Sequence, residues 1–120
     1  MGIRYDQISD DLKKKIEDYE TIRHNLDVFT NQRMRLESVL KETEFAIVEL
    51  ENLEPTEIVY KSIGGILVRS KQDKLLSEKK SEKVRLDMQI KNLKQKEEKI
   101  NNQMKVMTQS IQSELKNQSS

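Results

Sequence analysis

A three-then-four step runs unbroken through the first half of this chain and constrains it more than any other feature. It lands on Tyr5, Ile8, Leu12, Lys15, Tyr19, Ile22, Leu26, Phe29, Arg33, Leu36, Leu40, Thr43, Ile47 and Leu50, and eleven of these fourteen positions are apolar. A repeat of 3.5 residues sustained over so many heptads keeps one stripe facing a partner only if the helices supercoil. Neither proline nor glycine interrupts it. The spacing predicts one helix over 5–53, a rod on the order of 70 Å at about 1.5 Å per residue. Pro55 ends it, because a proline pushes the residue before it, Glu54, out of helical geometry.

The same step returns in the second half on Leu76, Lys79, Lys83, Leu86, Ile90, Leu93, Glu97, Ile100, Met104, Met107, Ile111 and Glu114, eight of twelve apolar. Ser70 with Asp73 three residues on reads as a capping pair opening a helix over 71–116. The two stripes mirror one another. Folding the chain antiparallel, with partner numbers adding to about 123, sets Ile47 by Leu76, Leu36 by Leu86, Phe29 by Leu93, Ile22 by Ile100, Tyr19 by Met104 and Leu12 by Ile111. The expected fold is therefore mainly α, an antiparallel two-helix coiled coil forming a single domain over 1–120. Each fully buried apolar side chain on such a seam contributes about 1.5–3 kcal/mol before entropy is subtracted. Composition agrees, since 34% apolar, 4% aromatic and 36% charged residues suit long amphipathic helices better than a globular core.

At the bend, Pro55 to Ser70 collects the only proline and two of the three glycines. Runs rich in β-branched residues flank Gly64-Gly65, the two-residue loop preferred where both turn residues need positive φ. The spacing predicts one β-hairpin over 58–69. It carries Val59, Ile63, Ile66 and Val68 on one face and Ile58, Tyr60 and Leu67 on the other. A lone hairpin is marginal in water and leaves both edges unpaired. Ile58, Val59, Tyr60, Ile63, Gly64, Gly65, Ile66, Leu67 and Val68 are accordingly expected to meet strands from other chains.

Charge is unevenly placed. Residues 1–57 carry eight Lys/Arg against fourteen Asp/Glu, and 58–120 carry fourteen against seven. The simplest consequence is that the halves face each other, with Glu37, Glu42, Glu44, Glu49 and Glu51 beside Lys71, Lys74, Lys79, Lys80, Lys83 and Arg85. A nucleic-acid patch fits poorly, because Glu78, Glu82, Asp87, Glu97 and Glu98 interrupt the basic half and no aromatic sits there to stack a base. At the free ends, Lys15, Glu114 and Gln118 occupy stripe positions and leave Ile8 and Tyr5 with polar partners. Ile3, Tyr5, Ile8, Leu12, Met104, Val106, Met107, Ile111 and Leu115 then form a distal apolar group open to something else. Met104, Leu12 and Ile111 also fit plain seam core. Asn117 to Ser120 reads as a frayed tail.

Catalytic chemistry is not indicated. His24 stands between the seam positions Ile22 and Leu26, on the outer face. Gly64-Gly65 lacks the flanking pattern and lysine of a phosphate loop, and a two-helix rod has no cavity to shift carboxylate pKa values. With no cysteine, thiolate catalysis and thiolate metal sites are excluded, so neither enzyme, cofactor nor metal is expected. No apolar run approaches the roughly 20 residues that span a bilayer, and the start has no signal-peptide core. The expectation is a cytoplasmic protein that binds neither membrane nor nucleic acid.

Val59-Tyr60-Lys61, then Ile63-Gly64, then Leu67-Val68 with a basic residue, then a helix opening with Lys71 to Lys74, resembles the hairpin signature of beta-class prefoldin subunits. The resemblance spans helix, single hairpin and helix, nearly the whole chain; alpha-class subunits carry two hairpins. It implies a hexamer of two alpha and four beta subunits whose hairpins build a double β-barrel platform. It further implies an ATP-independent holdase that grips unfolded polypeptides at coiled-coil tips and passes them to a group II chaperonin. On this sequence, the hairpin residues become platform and the distal apolar group becomes the client contact. A coiled-coil adaptor joining folded partners is the alternative, and it has no use for apolar tips.

Overall fold

The computed structural model describes residues 4–119, apart from the side chains of Tyr5 and Ser119; Ile3 lies outside the described residues. In chain order a 3₁₀ turn, Tyr5–Gln7, precedes helix α1, Asp10–Glu51; strands β1, Val59–Ile63, and β2, Ile66–Ser70, form a hairpin; helix α2, Gln72–Ser119, follows. Two long helices thus flank one two-stranded antiparallel sheet. The residues group into two compact units, 1–32 with 93–120 and 33–92, called here the terminal unit and the hairpin unit.

Helix α1 begins at Asp10 rather than Tyr5 because Ser9 stops the turn before it. The Ser9 hydroxyl accepts the Leu12 backbone N–H at 3.2 Å, an N-cap bond that satisfies one of the orphan donors of the first turn. Asp10 and Asp11 add negative charge where the helix dipole favours it. At the other end the ladder tightens, with Leu53 N–H donating to the Leu50 carbonyl at 3.3 Å. A turn over Glu54-Pro55-Thr56-Glu57 follows, closed by Glu57 N–H on the Glu54 carbonyl at 3.0 Å and by Glu54 N–H on the Glu57 carboxylate at 3.2 Å.

The hairpin has the anticipated register, with Val59 opposite Ser70, Lys61 opposite Val68 and Ile63 opposite Ile66. Gly64 and Gly65 carry φ of 54° and 83°, the left-handed region that a two-residue hairpin loop requires and a side chain resists. The Ser70–Asp73 capping pair does not form. Ser70 remains in β2, the Lys71 carbonyl accepts the first helical bond from Leu75 N–H at 3.0 Å, and the Asp73 carboxylate takes only the Lys74 N–H, at 2.8 Å. The C-terminal expectation also changes, since α2 continues to Ser119 where a frayed tail was anticipated from Asn117.

Burial follows the two stripes. In the terminal unit Leu12, Leu93 and Glu97 are buried, and Lys15, Tyr19, Ile22, Leu26, Phe29, Ile100, Met104, Met107, Ile111 and Glu114 are half-buried. In the hairpin unit Thr43, Ile47, Leu50, Leu86 and Ile90 are buried and the other stripe positions half-buried. At the root of the hairpin Leu50, Val59 and Leu75 form a core against which Leu53 and Leu76 pack. The stripe had pointed to Leu76 alone; with β1 present as a third wall, Leu75 is enclosed as well.

Candidate functional site

In the hairpin unit the sheet exposes most of its apolar surface. Val59 is enclosed, but Ile58, Tyr60, Ile63, Ile66, Leu67 and Val68 are 40–73% exposed. Ile58 immediately precedes β1 and the others lie on both faces of a sheet that, among the described residues, pairs β1 with β2 alone, so both edges retain open backbone donors and acceptors. Two polar ties orient this sheet and its flanks. The Lys61 ammonium donates to the Glu78 carboxylate on α2 at 2.8 Å, and that hydrogen bond, with the nearby positive charge, holds the Glu78 carboxyl below the usual carboxylate range. The Gln72 amide donates to the Leu50 carbonyl at 2.8 Å in a buried setting, a second donor beside the Leu53 N–H for a carbonyl in the last turn of α1. The anticipated facing of acidic and basic halves is realised at Lys80–Glu51, 3.4 Å apart; Lys79 instead turns to Glu82 in its own helix.

In the terminal unit the expected client-binding residues fall into three environments. Val106 is 65% exposed, and Met104, Met107, Ile111 and Leu115 are half-buried. Met104 forms part of the wall of an open groove with Tyr19, Asn101, Lys105, Thr108 and Gln109. Ile8 and Leu12, by contrast, are 7% and 0% exposed, although the stripe had left Ile8 with polar partners only. The polar stripe residues of this end make bonds of their own. Lys15 pairs with the Glu114 carboxylate and donates to the Ser110 hydroxyl at 3.1 Å. Gln118 donates to the Ser9 hydroxyl at 2.9 Å and accepts the Ser9 N–H at 3.3 Å. Ile3 and the side chain of Tyr5 lie outside the described residues.

Further along the same unit, Thr30 donates to the buried Glu97 carboxylate at 2.7 Å, and the Lys96 ammonium stands 5.4 Å from the Phe29 ring centroid. The sequence pattern does not signal these ties, because Thr30 and Lys96 fall off the stripe and their partners, Glu97 and Phe29, lie on the other helix. His24 is exposed. Among the described residues no group of three or more His, Asp or Glu is placed to hold a metal ion, and no helix is long and apolar enough to cross a membrane.

Comparison with known proteins places these surfaces in context. The family model described as prefoldin subunit matches residues 13–118. The prefoldin subunit beta of Pyrococcus furiosus is 30% identical over 97 residues, 81% of this chain and 83% of that protein. That of Archaeoglobus fulgidus is 30% identical over 93 residues, 78% of this chain and 80% of that protein. The crystal structure of the prefoldin beta subunit from Thermococcus strain KS-1 superposes with a TM-score of 0.83 at 28% identity, covering 90% of this chain and 95% of that one.

Proposed function

Because this chain belongs to the prefoldin family, as a beta-class subunit and hence a non-enzymatic chaperone component, we propose that it is a cytosolic, ATP-independent holdase subunit. It assembles through its hairpin with two alpha subunits and three further copies of itself, grips unfolded polypeptides at the coiled-coil tips, and passes them to a group II chaperonin. The observation that carries this reading is the hairpin: five large apolar side chains exposed on a two-stranded sheet with open edges, and Ile58 exposed just before it. In water such a sheet is incomplete, and strands from neighbouring subunits supply what it lacks.

Holding then rests on several weak contacts acting together. One tip offers few apolar groups, of which Val106 is open and Met104, Met107, Ile111 and Leu115 are partly so. A single contact is labile, whereas tethering several tips in one particle raises effective concentration and yields avidity with fast local exchange. Met104 and Met107 suit varied clients because their side chains are flexible and polarizable. The test is a shortened chain spanning 17–103, which keeps the hairpin unit and removes every proposed client contact. It is expected to assemble as the parent does and to lose suppression of client aggregation; full suppression by the shortened particle refutes the role of the tips.

A further inference from the structure

The sheet has two faces, and only one of them is turned to its own helices. Val59 sits in the core with Leu50 and Leu75, and Lys61 on the same face reaches Glu78 of α2. Side chains alternate along a strand, so Tyr60, with Arg69 opposite, and Leu67, with Ser62 opposite, look the other way. Pairing at the strand edges supplies hydrogen bonds but leaves this outward face uncovered. On α1 a second apolar patch stands open, made of Phe45 and Val48. Leu67, 73% exposed, and Phe45, 68% exposed, are the two most exposed large apolar side chains among the described residues. The patches also stand at one height. Leu50 and Leu75 share a core, so antiparallel helices put Phe45, about one helical turn before Leu50, level with Glu78, about one turn after Leu75.

Charge complements the apolar match. Glu42 and Glu49 stand three residues before and four after Phe45, and so border it on the exposed helix surface, with Lys41 on the other side. The hairpin side carries Lys61, Arg69 and Lys71 and no acidic residue from Ile58 to Gln72. Lys61 is tied to Glu78, whereas Arg69 is exposed beside Tyr60. Among the described residues, none of Arg69, Glu42 and Glu49 is engaged in an ion pair. We propose that the Tyr60–Leu67–Arg69 face of one subunit's sheet docks on the Phe45–Val48 patch of a neighbouring copy of this chain, with Arg69 beside Glu42 and Glu49. The inference rests on the assembly reading and adds a sheet-on-helix contact to strand pairing. A second copy is the fitting occupant because this chain carries both halves, apolar and charged. A few side chains on each partner bury less than the roughly 1,000 Å² of a free-standing interface. The contact therefore forms where hairpin pairing holds copies together and raises their effective concentration. Its consequence is a fixed angle between one sheet and the next arm.

The test uses full-length chains assembled with a cysteine-free prefoldin alpha subunit. This chain has no cysteine of its own, so Leu67→Cys and Phe45→Cys, carried by separate copies and mixed, report proximity through a short bis-maleimide. Val84→Cys, on α2 and 61% exposed, replaces Phe45→Cys as the control. The link between 45 and 67 is expected to form at least about five-fold faster than that between 84 and 67. Charge reversal gives a second readout, the exchange of this chain between particles followed by native mass spectrometry. Arg69→Glu is expected to speed exchange about three-fold or more, and adding Glu42→Arg with Glu49→Arg to the same chain is expected to restore the parent rate. Equal linking at 45 and 84, or a reversed pair that restores nothing, overturns the contact. The mass of the parent particle separates the two levels. If particles form and both readouts are negative, the sheet-on-helix contact alone falls; if this chain joins no particle with the alpha subunit, the assembly reading falls and the contact with it.

Discussion

Gln72 is worth more to this fold than its residue type suggests. Its amide meets the Leu50 carbonyl inside the root of the hairpin, so Gln72→Ala removes the shorter of the two bonds to that carbonyl and leaves it the Leu53 N–H at 3.3 Å. The expected loss is about 0.5–1.5 kcal/mol, read as a lower midpoint in thermal or denaturant unfolding; an unchanged midpoint contradicts the assignment. Gly65 is a different case. Nothing lies within 4 Å of where its Cβ would stand, yet its φ is 83°, so Gly65→Val is opposed by backbone conformation alone. It is expected to cost about 1–2 kcal/mol and to speed amide exchange across β1 and β2, with little change in total helicity. The two residues also mark the limit of sequence reading. Gly64-Gly65 could be read because a turn's demand for positive φ is local, whereas the partner of Gln72 lies 22 positions away and exists only once the chain has turned back.

Among the elements, the helices were legible on their buried faces and less so at their ends. The three-then-four stripe identified the covered positions because that pattern is the physical condition for a lasting helix–helix contact. The start of α1 depends instead on one hydroxyl, Ser9 on Leu12 N–H, and the start of α2 on Ser70 staying in the ladder opposite Val59. Ser9→Ala is expected to destabilise the terminal unit by about 0.5–2 kcal/mol, visible as faster amide exchange in the first turns of α1. The docking of β1 against α2 is expected to weaken in acid. Glu78 is held below the usual carboxylate range by Lys61, so its contribution is complete above that range and is lost as pH falls through its lowered pKa. The effect is small, as for a solvent-accessible pair. Glu78→Gln removes this acid dependence, which is measurable in the backbone NMR shifts of Val59 to Lys61.

For the whole molecule, the polar tail and the hairpin give opposite lessons about what a single sequence reveals. Gln118 and Glu114 appeared to interrupt the seam, yet in the folded chain they bond to Ser9 and Lys15; a stripe records where apolar groups fall but not how polar ones pair across helices. The hairpin's exposed apolar surface was legible, because apart from Val59 its large apolar residues lack covering among the described residues, and in our reading it needs strands from other subunits. That need is the centre of the account, and native mass spectrometry of this chain with a prefoldin alpha subunit, alongside its Ile66→Asp variant, tests it most directly. The account predicts a particle of four copies of this chain with two alpha subunits for the parent, and free, helical chains for Ile66→Asp. A parent that remains a stable monomer with its hairpin formed, or an Ile66→Asp variant that assembles as the parent does, contradicts it.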